Sequence, residues 1–229
     1  MIVKYPRTPH LTGSRRQPGD EDLEAIARET LRGLPMVVEE KLDGSNSAVS
    51  FDEQGTLVLQ SRGHILTGGP RERQFALFKR WANFHSPTLS KILGRRYIMY
   101  GEWLYARHTI PYDQLPHYFM EFDILDRDLG EFLSTDRRRA MLASSPVESV
   151  PVLHRGLVTT IEESIGPSRC STVETMEGLY LKHEEDGRVI GRFKFVRAGF
   201  SQAVADSGEH WMDRPIEPNR LRKGVDLFP

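Results

Sequence analysis

The 229-residue chain has a single cysteine, Cys170. That excludes a disulfide framework within the chain and a cysteine-based zinc site. It also gives the expectation of a reducing, cytoplasmic home. Long apolar runs are lacking: no stretch approaches the length of a membrane-spanning helix, and the N-terminus carries no secretory-type apolar segment, so no membrane contact is expected. Net charge is nearly absent, with 31 Lys and Arg against 32 Asp and Glu. The molecule is therefore no polycation, and any nucleic-acid contact must come from local patches. Arg71, Arg73, Lys79 and Arg80 form one such patch, Arg95 and Arg96 another, and Arg137, Arg138 and Arg139 a third. Each reads equally well as a solvated helix face. Internal repeats and low-complexity segments are missing too. The composition is 38% apolar and 28% charged, ordinary for a globular chain with a real core.

The patterning predicts an irregular N-terminal arm over 1–19, rich in Pro, Gly, Thr and Arg, then a helix over 20–34. Strands are expected at 36–40, 47–52 and 56–61, the last two joined by a turn at Asp52-Glu53-Gln54-Gly55. A helix over 71–84 carries Phe75, Phe78 and Trp81 on one face, and a short one follows at 87–93. Strands are expected at 96–105, 118–125 and 150–153. Ser134 or Thr135 caps a helix running to Ala143, and Thr159 with Glu162 suits a capping box for another. Strands 178–183 and 188–196 form a hairpin, and a helix and polar tail follow over 200–229. Mixed helices and hairpins point to α+β with mainly antiparallel sheets. With no strong linker, residues 1–229 read as one domain.

The most informative stretch is Lys41-Leu42-Asp43-Gly44-Ser45-Asn46. It follows the run Met36-Val37-Val38-Glu39-Glu40 and reads as a strand delivering a lysine into a tight turn. An amine held there can attack a phosphate if its charge is suppressed, and Asp43 can hold a metal or orient the amine. Four weaker pieces lie behind it. Arg62, after a strand, either forks onto a phosphate or is a surface arginine beside a turn. Glu102, in Tyr100-Gly101-Glu102-Trp103, is costly to bury unless paired. It contacts a ribose hydroxyl or a metal-bound water, or else makes a structural ion pair. Phe122, in Phe119-Met120-Glu121-Phe122-Asp123, stacks on a base or packs in the core. Glu177 to Lys182, followed by Arg192-Phe193-Lys194, makes a hairpin with alternate charges. Arg192 and Lys194 share a strand face and suit an anion such as a phosphate, or else belong to an edge strand.

In joint order and spacing these pieces resemble the covalent nucleotidyltransferase superfamily of polynucleotide ligases and capping enzymes. The closer likeness is to ATP-dependent RNA ligases of the phage nick-sealing type. The nucleophile motif Lys-x-(Asp/His)-Gly-x-Asn is matched by Lys41, Asp43, Gly44 and Asn46. Arg62, Gly101-Glu102, Phe122-Asp123, the set Glu177, Gly178 and Lys182, and Arg192-Phe193-Lys194 match the motifs that follow. The match spans 36–197, with Arg192 standing where the family has lysine.

The resemblance implies an ATP-grasp-like ligase adenylation domain, an α+β nucleotidyltransferase fold with no C-terminal OB domain. It implies ATP as cofactor, with AMP held covalently on Lys41, and magnesium or manganese held mostly through water by Asp43, Glu102 and Glu177. The ribose is then expected near Arg62 and Glu102, the adenine on Phe122, the base edge near Glu40 and Lys182, and the phosphates at Lys194 and Arg192. Burial, those two cations and the metal are expected to push the pKa of Lys41 down. The implied partner is RNA with a 5′-phosphate and a 3′-hydroxyl, together with a separate RNA-end-healing or RNA-binding protein. An ATP-dependent DNA ligase, an RNA guanylyltransferase, and an inactive nucleotide- or RNA-binding module supporting a partner stay open as alternatives.

Overall fold

The computed structural model describes residues 2–16, 22–158, 160–200 and 215–229. Ten strands make one sheet: β1 (Pro35–Lys41), β2 (Ser45–Phe51), β3 (Leu57–Ser61), β4 (Tyr97–Trp103), β5 (Phe119–Asp126), β6 (Glu131–Leu133), β7 (Glu148–Ser149), β8 (Val152–Leu157), β9 (Gly178–Glu185) and β10 (Arg188–Val196). Their order is β3-β2-β4-β5-β6-β10-β9-β1-β8, with β7 beside β5. All pairings are antiparallel except β5 with β7. Among the described residues three α-helices accompany the sheet: α1 (Ala76–Phe84), α2 (Ser86–Leu93) and α3 (Thr135–Leu142). The α+β expectation holds.

The apolar side of the β2-β4-β5 half packs on α1 and α2. Phe78 stacks on Phe119 at 5.2 Å between ring centroids, with Trp81 beside them, so the aromatic helix face foreseen in the sequence is core. A second core, with Leu11, Met36, Val38, Leu179, Leu181 and Phe195, fills the other side of the β1-β9-β10 half. Among the described residues the strand order links the two halves through β6. It is three residues long and pairs with β10 at just Arg188 and Val189, and with β5 at Leu125 and Asp126. Beyond that bridge β5 and β10 part, and a cleft opens between the halves.

The free edge of β10 is taken by the N-terminal arm. Leu11 N donates to Lys194 O and Lys194 N to Pro9 O, both at 3.0 Å. This added pairing explains why the expected helix over 20–34 is not formed. Ile26 N donates to His10 O and Thr12 N to Ile26 O, so the segment is drawn into an extended bridge, and only the 3₁₀ turn Arg28–Leu31 remains. A helix pattern has here lost to long-range pairing. The capping-box helix shrinks to the 3₁₀ turn Glu162–Ser164; Thr159 lies outside the described residues. The helix foreseen after Phe200 falls on 201–214, also outside them. Ser134 does cap α3, accepting from Arg137 N.

In the third arginine cluster Arg137 and Arg139 are exposed, as on a solvated face, but Arg138 is not. Arg138 is fully buried, donating to Glu121 Oε1 at 2.6 Å and to Glu39 Oε1 at 2.7 Å. Strand β1 carries buried residues on both faces, so Glu39 and Glu40 point to opposite sides and each needs its own partners. Among the described residues no helix is long and apolar enough to cross a membrane.

Candidate active site

The cleft has a volume of about 1150 Å³. Its floor is one face of the β1-β9-β10 half. By register Glu39, Tyr180 and Lys194 lie side by side across three strands, and Lys41 sits opposite Gly178. A side chain at Gly178 would collide with Phe195 O, its Cβ lying only 2.0 Å away, so the strands can close here only over glycine. The turn after Lys41 is equally tight. A Cβ on Gly44 would fall 2.6 Å from Trp103 O.

Lys41 lies at the centre. Its Nζ donates to Glu177 Oε1 at 2.6 Å. Burial alone would lower its pKa, but the carboxylates of Glu177, Glu102 and Asp43 outweigh burial and hold the ammonium above the ordinary lysine value. That corrects the expectation of a depressed pKa, and the reason is local. Three carboxylates surround the amine, while Arg192 lies elsewhere. Glu102 accepts from Gly44 N at 3.1 Å. Burial, with Glu177 and Asp43 nearby, pushes its carboxyl up to about 8 against the pull of Lys41. Asp43 Oδ2 accepts from Thr109 N at 2.7 Å and from Ile110 N at 3.0 Å. Among the described residues no three acidic, histidine or cysteine side chains form a direct metal-ligand set.

Other expected residues are placed as follows. Asn46 pairs with Glu102 across β2 and β4 and lines the cleft, and exposed Arg62 stands at its mouth. Phe122 lines the cleft edge-on to Tyr5, with ring centroids 5.1 Å apart. Lys194 lines it from β10.

Three expectations need correction. Glu40 contributes to the lining, but its carboxylate is on the far face, taken by Ser168 Oγ at 2.5 Å and Arg169 N at 2.9 Å. Lys182 is fully buried beneath the cleft, 2.8 Å from Glu39 Oε2 and 3.1 Å from Asp123 Oδ1, and it also donates to Phe122 O. Arg192 lies over the Phe132 ring at 3.9 Å, with Asp123 at 3.8 Å. The period of two put both cations on the correct face. Their position along the strands sets them in an ion network instead of at the cleft wall.

Residues the sequence reading left out also line the cleft: Tyr5 and Thr8 from the arm, Glu39, Tyr180, Gln74 and His108. Tyr5 Oη donates to Asp123 Oδ2 at 2.5 Å and shares a hydrogen bond with Tyr180 Oη at 2.8 Å; Thr8 bonds Tyr180 as well. His108 Nε2 lies 3.3 Å from Ser45 Oγ, and its Nδ1 4.0 Å from Asp43. Burial, aided by Lys41, lowers its pKa despite Asp43. Glu39 could have been found by stepping back two residues from Lys41. No local pattern marks His108.

The raised carboxyl of Glu102 has a consequence for stability. Its folded value of about 8 exceeds its ordinary 4.5, so the folded protein keeps a proton that the unfolded chain releases. Stability from this group is therefore complete at low pH and is lost as pH rises through about 8. Glu102→Gln, in chelator, is expected to melt a few degrees above the parent at pH 8.5 and level with it near pH 5. Equal melting temperatures at both values would contradict the burial of this charge.

The RNA ligase family model matches residues 34–196. No curated protein matches the chain by sequence. Among solved structures it is similar to the Naegleria gruberi RNA ligase with PPi, at 23% identity and a TM-score of 0.61, over 80% of this chain and 54% of that one. A lysine-to-alanine variant of that ligase with ATP and Mn matches at 23% identity and a TM-score of 0.57, over 74% and 51%. Another variant, with AMP and Mn, matches at 20% and 0.56, over 86% and 62%. The chain thus spans about half the length of the solved ligases it matches, and the likeness carries the nucleotidyltransferase fold. With the family model covering the cleft-forming strands from β1 to β10, the chain belongs to the RNA ligase family.

Proposed function

We propose that this chain is the adenylation unit of an ATP-dependent RNA ligase that works through a lysyl-AMP intermediate in RNA repair. The observation that carries the reading is Lys41 at the centre of a large cleft, ringed by Glu177, Glu102 and Asp43, with Lys194 and Phe122 on the walls. The amine rests as an ammonium. To react it must lose a proton, and Glu177 Oε1 at 2.6 Å is the acceptor in place. The nitrogen lone pair then forms a bond to the α-phosphorus of ATP, the bond to the bridging oxygen breaks, and pyrophosphate leaves. Lys194 offsets charge on the phosphates, and Arg62 at the mouth meets the ribose or phosphate side. AMP next passes to an RNA 5′-phosphate. A 3′-hydroxyl attacks that phosphate, and AMP departs.

The donor set fits a divalent cation. Three carboxyl groups face one ammonium, and the carboxyl of Glu102 is raised by burial and then by Glu177 and Asp43 beside it. Asp43, Glu102 and Glu177 would hold magnesium or manganese through its waters, where it would neutralise triphosphate charge and ease deprotonation of Lys41. RNA as the strand follows from the family. A cytoplasmic home and a separate end-healing or RNA-binding partner complete the proposal.

The test is incubation with labelled ATP or GTP, followed by sealing of nicked RNA and DNA duplexes. Covalent label from ATP and sealed RNA are expected. Label from GTP alone would make the protein a capping enzyme, sealing of DNA alone would make it a DNA ligase, and label from neither would leave a binding module. Phe122→Ala is expected to raise the KM for ATP roughly 10- to 100-fold, the worth of one base stack, with little change in rate at saturation. An unchanged KM in a kinetic titration would remove Phe122 from the base site.

A further inference from the structure

Asp43 sits in a turn outside any regular element, yet it is held by three hydrogen bonds from one loop. Its carboxylate takes the amides of Thr109 and Ile110, and its own amide donates to Tyr112 Oη at 2.8 Å. The phenol stays a neutral hydroxyl, because burial and then Asp43 hold its pKa well above the usual value. This loop, between β4 and β5, has no strand of its own to brace it. Two segments brace it: residues 170–172, with Gln114 N donating to Cys170 O at 3.1 Å, Ser171 Oγ to Pro111 O at 2.9 Å and Thr172 N to Asp113 Oδ1 at 2.8 Å, and the strap over 217–222, which holds the part nearest Asp43. Asn219, 4% exposed, accepts from Tyr112 N at 2.9 Å through Oδ1 and donates to Leu104 O at 2.8 Å through Nδ2. Its backbone N donates to Tyr105 O at 2.8 Å, and its carbonyl accepts from Tyr118 Oη at 2.9 Å. On either side Arg107 N donates to Glu217 O, Arg220 N to Tyr112 O, and Arg222 N to Leu115 O.

From this chain of contacts we infer that Asn219 and Tyr112 are positioning residues for the nucleophile turn. The strap over 217–222 sets the loop, and the loop sets Asp43, two residues from Lys41. A buried asparagine that satisfies both ends of its amide on two points of one loop fixes that loop's shape. Tyr112 carries the constraint onward, because its backbone faces Asn219 while its hydroxyl faces Asp43. The inference rests on the ligase reading for its rate effects, but not for its structural ones.

The experiment pairs two variants with two readouts. Asn219→Ala is expected to slow adenylylation at saturating ATP roughly 10- to 100-fold, the cost of a misplaced reacting group, with the KM for ATP within about twofold of the parent. Tyr112→Phe removes one hydroxyl without a cavity and is expected to slow it about 3- to 10-fold, with a melting temperature lower by a few degrees because the Asp43 amide loses its acceptor. Adding Tyr112→Phe to Asn219→Ala should cost little more, because Asn219 reaches the turn through Tyr112. Independently of activity, amide hydrogen exchange in Asn219→Ala should quicken at Thr109 and Ile110 and stay unchanged in β1 and β4.

Unchanged exchange at Thr109 and Ile110 overturns the inference. So do losses that multiply in the double variant, or a rate that falls only in proportion to the folded fraction. A parent protein that takes no label from ATP defeats the ligase reading instead, and the exchange measurement alone then decides the role of Asn219.

Discussion

Lys41→Ala is expected to take up no covalent nucleotide: the rate of labelling by ATP should fall at least about 10⁴-fold, as for loss of a covalent nucleophile. Lys41→Arg fails as well, because a guanidinium keeps its proton at any working pH. Both variants should fold, since the Lys41 side chain is 21% exposed and lines an open cleft. Supplied with RNA whose 5′-phosphate already carries AMP, Lys41→Ala should still seal, because in the proposed reaction the amine only loads and passes on the nucleotide. That retained step separates loss of the nucleophile from collapse of the cleft. The parent's pH profile carries the same signature. Glu177, Glu102 and Asp43 hold the Lys41 pKa above its ordinary value, so the neutral fraction is small at pH 7 and grows up to tenfold per pH unit. Labelling should climb steadily from pH 6 to 9. A flat profile, or labelling that survives in Lys41→Ala, would place the nucleophile elsewhere.

The parts of this arrangement legible in the sequence are those with a short-range cause. The turn at Asp52 to Gly55, the cap at Ser134, the aromatic face on Phe78 and Trp81, and the β9-β10 hairpin follow from turn chemistry and periodicity. Lys41, Asp43, Glu102, Glu177, Lys194 and Phe122 stand out singly from local patterns, the family order groups them, and the structure brings them around one cleft. What stayed hidden depends on distance through space. Ile26 looks helical until His10 and Thr12 reach it. Lys182 and Arg192 share the face of Lys194, but only depth along the strands shows that β6 and Asp123 enclose them. His108, Tyr112 and Asn219 lie in irregular segments, where no period tells which way a side chain points.

Arg138→Met should destabilise the fold by about 3–5 kcal/mol, the cost of stripping one partner from a buried ion network. Six groups share that network beneath the cleft. Arg138, Lys182 and Arg192 face Glu39, Glu121 and Asp123, three charges against three. Arg138 contacts Glu39 and Glu121 at once, and both are fully buried, so its loss leaves a net negative charge with no water to answer it. For a chain of this size the melting temperature should fall by roughly 6–20 °C. Burial already raises the pKa of Glu121 against the pull of Arg138, and without the guanidinium it rises further. A carboxyl raised in the folded state stabilises at low pH and loses that contribution as pH climbs through its folded value. The deficit of Arg138→Met is therefore largest at pH 8 and shrinks toward pH 5. Adding Glu121→Gln, which removes the surplus charge, should recover part of it. Because Glu39 also lines the cleft beside Tyr180 and Lys194, the surviving folded fraction should bind ATP more weakly as well. A melting temperature within 2 °C of the parent, equal at both pH values, would mean that the network contributes neither stability nor a fixed floor to the site.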